Sequence, residues 1–337
     1  MTAPAGAPPR SAAYTRRVLH RCAAFALATA AVLAAVHATP ARAEPRGFTW
    51  AGRVELEGAP LFDPDAEPED RRAAVAALGP YDPELTRRFV LHALDDDDES
   101  VRIDAARVAA RGQMVEAVPK LIEWLADPDR VIRKEASEAL GSIADSAGTS
   151  ALVRTLGDLD PDVRLGAVNA LAKIGQRGDR SVLVPLISRV SDEKTEVRRA
   201  AIEALRGIGD RRAVVAVVAA FADGNLEVRK AAVVTAGKLG DPAAITALGR
   251  MLDDPQPDVR NLAVAALGDL GAADATDDLI RLVRAGGDSA APAAYALGQI
   301  AAATTEADTR DRAVRALVAG LVDPSARPVL QEALRRA

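Results

Sequence analysis

Apolar residues in this chain fall in a helical rhythm, and the rhythm itself recurs. Val163, Ala167, Ala170, Leu171 and Ile174 are spaced by four, three, one and three residues, which puts all five on one face of an α-helix. Just ahead, Leu152 and Leu156 lie one turn apart and predict a first helix over 150–157, followed by a turn at Asp158-Leu159-Asp160-Pro161. This block returns on a fixed period. Arginine marks it at Arg71, Arg102, Arg133, Arg164, Arg198, Arg229 and Arg260, in steps of 31, 31, 31, 34, 31 and 31 residues. Three residues on comes alanine each time (Ala74, Ala105, Ala136, Ala167, Ala201, Ala232 and Ala263), and seven on comes leucine or alanine. One helix pair leaves an apolar face uncovered, and the next pair in a stack buries it. A period of this size therefore predicts a repeated helical hairpin.

Each unit carries its own punctuation. Four residues before the arginine stand Asp98, Asp129, Asp160 and Asn225, whose side chains cap helix N-termini. Three before it stand Pro68, Pro161 and Pro257, suited to the first helical position. Gly79, Gly112, Gly175, Gly209, Gly240 and Gly271 predict the C-terminal ends. The alanine three residues after the arginine is expected where neighbouring second helices come closest, since a larger side chain would overpack that seam. The arginine lies beside the buried stripe. Its fork is expected to reach an acid of the next unit, with Asp145, Asp210 and Asp241 as candidates.

The array has irregular stretches. Three residues are added in the loop Gln176–Ser181, and Ala290 replaces the arginine in the unit that ends Ala293, Ala296, Leu297, Gly298. The segment from Arg310 to Ala337, with Leu317, Leu321, Leu330 and Leu334, predicts a last helical pair that caps the stack. Residues 44–66 are rich in Pro, Gly and acids and read as an arm or linker. Within them Val54 and Leu56 alternate with charged residues, the pattern of a short strand.

Asp160 to Gly175 follows the pattern Asp-x-x-Val-Arg-x-x-Ala-x-x-Ala-Leu-Gly-x-x-Gly-Asp, with Ala172 in the first glycine position; Asp129–Ile143 and Asn225–Asp241 follow it too. This resembles the short HEAT-like repeat of the phycobilisome-lyase type, over residues 67–337. The resemblance implies an all-α fold, an α-solenoid wound as a right-handed superhelix of about eight antiparallel helix pairs. It also implies a scaffold that binds proteins, without saying which.

The first residues change the setting. Arg16, Arg17 and Arg21 precede an apolar run from Cys22 to Val36, and Ala41-Arg42-Ala43 follows as a small-x-small cleavage pattern. Residues 1–43 read as a signal peptide, and the run is shorter than the roughly 20 residues a membrane-crossing helix needs. An N-terminal membrane anchor is the alternative. The Arg16-Arg17 pair fits both twin-arginine and general export. The expected location is the periplasm or the extracellular space. Residues 1–43 hold five arginines and no acid, so removing them takes the net charge from −5 to −10. The only cysteine, Cys22, leaves as well, so no disulfide is expected. An acidic chain whose arginines are spread one per unit lacks the basic stripe that nucleic acid requires.

Candidate chemistry is sparse. One histidine, His92, remains beyond residue 43, which removes Cys/His nucleophile pairs and nearly all zinc sites. Flanked by Leu91 and Leu94, it reads as a structural residue. No nucleophile elbow, phosphate loop or His-Glu-x-x-His helix occurs. The acidic run Asp95-Asp96-Asp97-Asp98-Glu99 has the ligand type for calcium but lacks the glycine and spacing of an EF-hand loop; capping of the next helix by Asp98 is the competing reading. No cofactor, metal or catalytic residue is assigned. A lyase-like subunit is the enzymatic alternative.

The second-helix surface remains. Positions one, two and five after the arginine are expected to face solvent, and the resemblance to HEAT repeats implies that this helix lines the concave face. They are Lys134, Glu135 and Glu138; Leu165, Gly166 and Asn169; Arg199, Ala200 and Glu203; Lys230, Ala231 and Val234; Asn261, Leu262 and Ala265. Val234, Leu262 and Tyr295 make the later units more apolar. That suits a contact with a protein partner there, and it equally suits ordinary surface apolarity. The expected molecule is a monomeric scaffold seating a partner protein on this face.

Overall fold

The structure is a computed structural model and describes residues 49–320 and 327–336. The expected signal peptide, with Cys22 and the Arg16-Arg17 pair, lies outside the described residues, as does Leu321. The chain divides into two compact units, Met1–Gly52 and Arg53–Ala337. Of the first, residues 49–52 are described, and there the Gly52 N–H donates to the Thr49 hydroxyl at 3.1 Å.

Every regular element among the described residues is helical. The second helices of the repeats are α2 (Pro68–Leu78), α4 (Glu99–Arg111), α6 (Arg130–Ile143), α8 (Pro161–Gln176), α10 (Thr195–Ile208), α12 (Leu226–Leu239), α14 (Pro257–Asp269), α16 (Ala290–Ala303) and α18 (Arg327–Arg336). The first helices are α1 (Trp50–Gly58), α3 (Pro83–Ala93), α5 (Val118–Trp124), α7 (Thr149–Thr155), α9 (Leu183–Ser188), α11 (Val214–Ala219), α13 (Ile245–Met251), α15 (Thr276–Ala285) and α17 (Ala307–Gly320). From α2 onward each second helix packs on the second helix before and after it, and each first helix from α3 packs on its own second helix. The second unit is an α-solenoid of eight hairpins, α3/α4 to α17/α18, preceded by α2. No helix among the described residues is long and apolar enough to cross a membrane.

The capping residues act as the sequence predicts. Asp98, Asp129, Asp160 and Asn225 each accept from backbone N–H groups in the first turn of the helix they precede, at 2.6–3.3 Å. Pro68, Pro161 and Pro257 are the first residues of α2, α8 and α14. Gly209 and Gly240 end α10 and α12 in the left-handed conformation, with φ of 70° and 65°, where a side chain would be strained. Gly175 does not end its helix. It is buried inside α8, where a Cβ would meet the Ile208 and Val182 side chains at 2.7–3.0 Å. The helix runs on to Gln176 because the added residues lengthen the loop behind it. In the preceding repeat, Ala144 takes the left-handed position, with φ of 52°.

One expectation about the arm is overturned. Val54 and Leu56 lie on α1, not on a strand. Val54 is buried while Leu56 is exposed, and together with the short 3₁₀ turn Ala59–Phe62 they form the place of a first helix. Alternation over three residues fits a helix edge as well as a strand. The Phe62 ring stacks on His92 at 4.4 Å between centroids and tilts against buried Phe89 at 5.5 Å. That accounts for His92 as a packed, exposed ring.

Candidate protein-binding surface

The alanine three residues after each arginine is buried in every repeat. Close glycine–alanine approaches between second helices lie further along. A Cβ on Gly141 would stand 2.6 Å from the Ala170 Cα, and one on Gly237 would stand 2.8 Å from the Ala266 Cβ. These glycines are eight residues after their arginines, and the alanines six after theirs. Side chains of zero or one carbon there let the helices nearly touch, which fixes the spacing of the surface they present.

An ion-pair ladder fixes the register. Arg71 forks onto Asp96 at 2.7 and 2.8 Å, Arg133 onto Asp158 at 2.7 and 3.0 Å, and Arg164 onto Asp192 at 3.0 and 2.8 Å. Arg198 does the same with Asp223 at 2.7 and 3.0 Å, and Arg229 with Asp254 at 3.0 and 3.4 Å. The third nitrogen of each arginine holds its own turn; Arg133 Nη1 donates to the Asp127 and Pro128 carbonyls at 2.9 and 3.0 Å. The partner acid stands six residues before the next arginine. One of its carboxylate oxygens accepts the N–H two residues on, as Asp158 does from Asp160 at 2.9 Å. Each rung thus ties an arginine of one repeat to the hairpin turn of the next with bidentate, charge-assisted bonds. Arg102 and Arg260 make the carbonyl contacts but, among the described residues, no carboxylate fork.

The acids are therefore not Asp145, Asp210 and Asp241. Those three accept from the N–H groups of Ala147, Arg212 and Ala243, capping the 3₁₀ turns that open the first helices. The right acids carried a signal in the sequence: aspartate stands six residues before every one of the seven arginines, at Asp65, Asp96, Asp127, Asp158, Asp192, Asp223 and Asp254. Burial alone would raise the carboxyls of Asp96, Asp158 and Asp192. The arginine fork and a backbone N–H outweigh it and hold all three below the usual carboxylate range. At Asp223 the bond from Arg198 is the leading cause of the same lowering.

The acidic run resolves into separate duties. Asp96 takes Arg71, Asp95 pairs with Lys120, and Asp98 caps α4. Among the described residues, no group of three or more His, Cys, Asp or Glu is arranged to hold a metal ion.

The stacked second helices place one residue per repeat, five after the arginine, in a row. Arg107, Glu138, Asn169, Ala265 and Tyr295 are exposed, and Glu203 and Val234 are half-buried. Lys134, Glu135, Leu165, Ala200, Lys230, Asn261 and Leu262 are also half-buried, and Arg199 is exposed. Gly166 and Ala231 are buried, against expectation. The reason is that the position two after the arginine turns toward the preceding second helix; a Cβ on Gly166 would meet the Ser137 Cβ at 3.2 Å. Several charges are paired within the surface: Lys134 with Glu138 at 3.6 Å, Arg199 with Glu203 at 3.4 Å, and Lys230 with Glu227 at 3.3 Å and Asp258 at 3.5 Å. A shallow groove of about 380 Å³ between α4 and α6 is lined by Arg107, Gln113, Glu135, Glu138 and Ser142.

At the C-terminal end the Arg336 guanidinium stacks 4.7 Å from the Tyr295 ring centre and donates to its hydroxyl at 2.6 Å. The sequence reading missed two exposed apolar residues on first helices, Val184 and Val215, at 70% and 76% exposure. They stand 31 residues apart, at one repeat position.

No curated protein matched the sequence. Among solved structures the chain is similar to an engineered protein, with 23% identity, 85% of this chain and 88% of that one covered, and a TM-score of 0.53. It is similar to the Escherichia coli protein YibA, with 18% identity, 88% and 100% coverage and a TM-score of 0.50. It is also similar to importin beta, with 16% identity and a TM-score of 0.58. There 84% of this chain is covered, and it spans 48% of importin beta's length. At these identities the likeness is one of fold. The family model for HEAT repeats matches residues 60–141, 118–189, 183–267 and 215–298, more than half of the sequence, and the chain belongs to the HEAT-repeat family.

Proposed function

We propose that this HEAT-repeat solenoid is a non-catalytic scaffold, exported to the periplasm or the extracellular space, that seats a partner protein along the flank of its second helices. The observation that carries the reading is the row five positions after the arginine, exposed at Arg107, Glu138, Asn169, Ala265 and Tyr295 and half-buried at Glu203 and Val234. The row lies on helices whose spacing is set by glycine–alanine contacts and whose register is set by the arginine–aspartate ladder. A rigid row of changing chemistry, charged early and more apolar late, suits large-area recognition, because little ordering entropy is lost on binding. Against the lyase-like alternative, the lowered carboxyls Asp96, Asp158, Asp192 and Asp223 are tied to arginines, which leaves them ill-placed as acids or bases. The exposed flank of the first helices, with Val184 and Val215, is the competing surface.

The test is site-specific photo-crosslinking in the native host. A crosslinking amino acid placed at Asn169 or Ala265 is expected to capture one defined protein, and the same group at Val184 or Val215 is not. Capture from the first helices alone would contradict the proposal.

A further inference from the structure

The repeat that opens the solenoid keeps half of a rung. Asp65 stands six residues before Arg71, the position that in five later repeats takes the arginine of the repeat before it. Among the described residues no earlier second helix supplies that arginine, and Asp65 is exposed, whereas its counterparts are largely covered. Beside it lies a groove of about 750 Å³ with an alanine floor, Ala73, Ala74 and Ala77, and an exposed apolar wall at Leu56. Ala77 is six residues after Arg71, so it matches Ala170 and Ala266, which receive the glycines of the preceding second helix. Asp63, Glu67 and Asp70 also line the groove, and among the described residues none of them nor Asp65 is in an ion pair.

The later seams define what fits. At the α6/α8 and α12/α14 seams a helix brings an arginine that forks onto the aspartate and, about two turns on, a glycine that rides on the alanine. The geometry points to a docking site for a basic helix of a partner protein on this end face, one with arginine and a small residue eight positions later, added as one more second helix. The carboxylate rim favours a positively charged occupant, and the alanine floor admits close backbone approach. A second copy of this chain, bringing its last second helix α18, is the competing occupant that the experiment separates. This surface is separate from the exposed row proposed above, and neither proposal depends on the other.

The probe is a synthetic peptide with the sequence of residues 130–144, capped at both ends, which carries three basic and two acidic residues and contains Arg133 and Gly141. Titrated into the full chain at low salt, it is expected to bind one to one. Asp65→Arg in the protein, or Arg133→Glu in the peptide, should each weaken binding at least tenfold, and combining the two should restore most of it. Ala73→Arg, which fills the groove from an exposed position, should also abolish binding without changing the circular dichroism. Binding indifferent to Asp65→Arg would overturn the proposal, as would no binding at millimolar peptide. Concentration-dependent self-association that Asp65→Arg removes would overturn it too, by assigning the face to a second copy.

Discussion

Arg164 and Asp192 meet across the seam between α8 and the turn before α10 with side chains only 6% and 2% exposed. No other rung of the ladder is as well covered. Asp192 also accepts the Lys194 N–H at 2.9 Å, and Arg189 approaches it at 3.5 Å. One carboxylate therefore joins two repeats and organises a third element, the turn itself.

Removing that carboxylate breaks the fork, leaving the buried guanidinium with exposed Glu193, at 3.1 Å, as its remaining carboxylate, and takes the acceptor from the Lys194 N–H. Asp192→Ala is expected to cost roughly 3–5 kcal/mol, the range for breaking one side of a buried ion pair. A urea denaturation midpoint within error of the parent would contradict the assignment.

The ladder also sets an acid limit. Asp96, Asp158, Asp192 and Asp223 titrate lower in the folded chain than in the unfolded one. The unfolded state thus binds more protons as the pH falls. The stabilisation is fully present above the ordinary aspartate range, near pH 4, and is lost as the pH drops through the lowered folded values. Thermal midpoints should fall steeply below about pH 4, and less steeply in Asp158→Asn, which starts lower. Equal slopes in the two proteins would argue against the ladder as the cause.

Glycine replacements separate seam from surface. Gly141→Ala puts a methyl 2.6 Å from the Ala170 Cα and is expected to cost about 1–3 kcal/mol by overpacking. Gly249→Ala, inside α13 with nothing within 4 Å of the new methyl, should gain up to about 1 kcal/mol from helix propensity. Thermal melts that order these two variants the other way would reject the seam geometry. Ala167→Leu should behave like Gly141→Ala, since Ala167 is fully buried.

Charge reversal beside the exposed row should be nearly silent for the fold. Lys134→Glu and Arg199→Glu remove i,i+4 pairs of half-exposed side chains, worth about 0.3–0.5 kcal/mol each. Loss of helical circular dichroism in either variant would mean that these residues support the core.

Much of this architecture was legible in the sequence. The 31-residue step, the capping aspartates and the first-turn prolines fixed the helical pairs, because caps and apolar faces act over a few residues. The ladder was half legible. The arginine announced itself, but its acid is 25 or 28 residues away, and only folding shows that the turn of the next hairpin comes closer than the turn after the second helix. Gly166 and Ala231 were placed outside because one helix wheel gives a single buried face, whereas a solenoid helix is covered on two flanks by its neighbours. Residues 50–62 hid a helix and a 3₁₀ turn because prolines and acids there resemble a linker, while Val54 and Leu61 anchor them in the core.

A stack held together by nearest neighbours should respond locally to local damage. Native-state hydrogen exchange on Asp192→Ala is the direct test. Amides of α8, α9 and α10 are expected to exchange faster than in the parent, while those of α3, α4 and α16 keep their protection. Acceleration spread evenly from α3 to α16 would show one cooperative globule and contradict the rung-by-rung account.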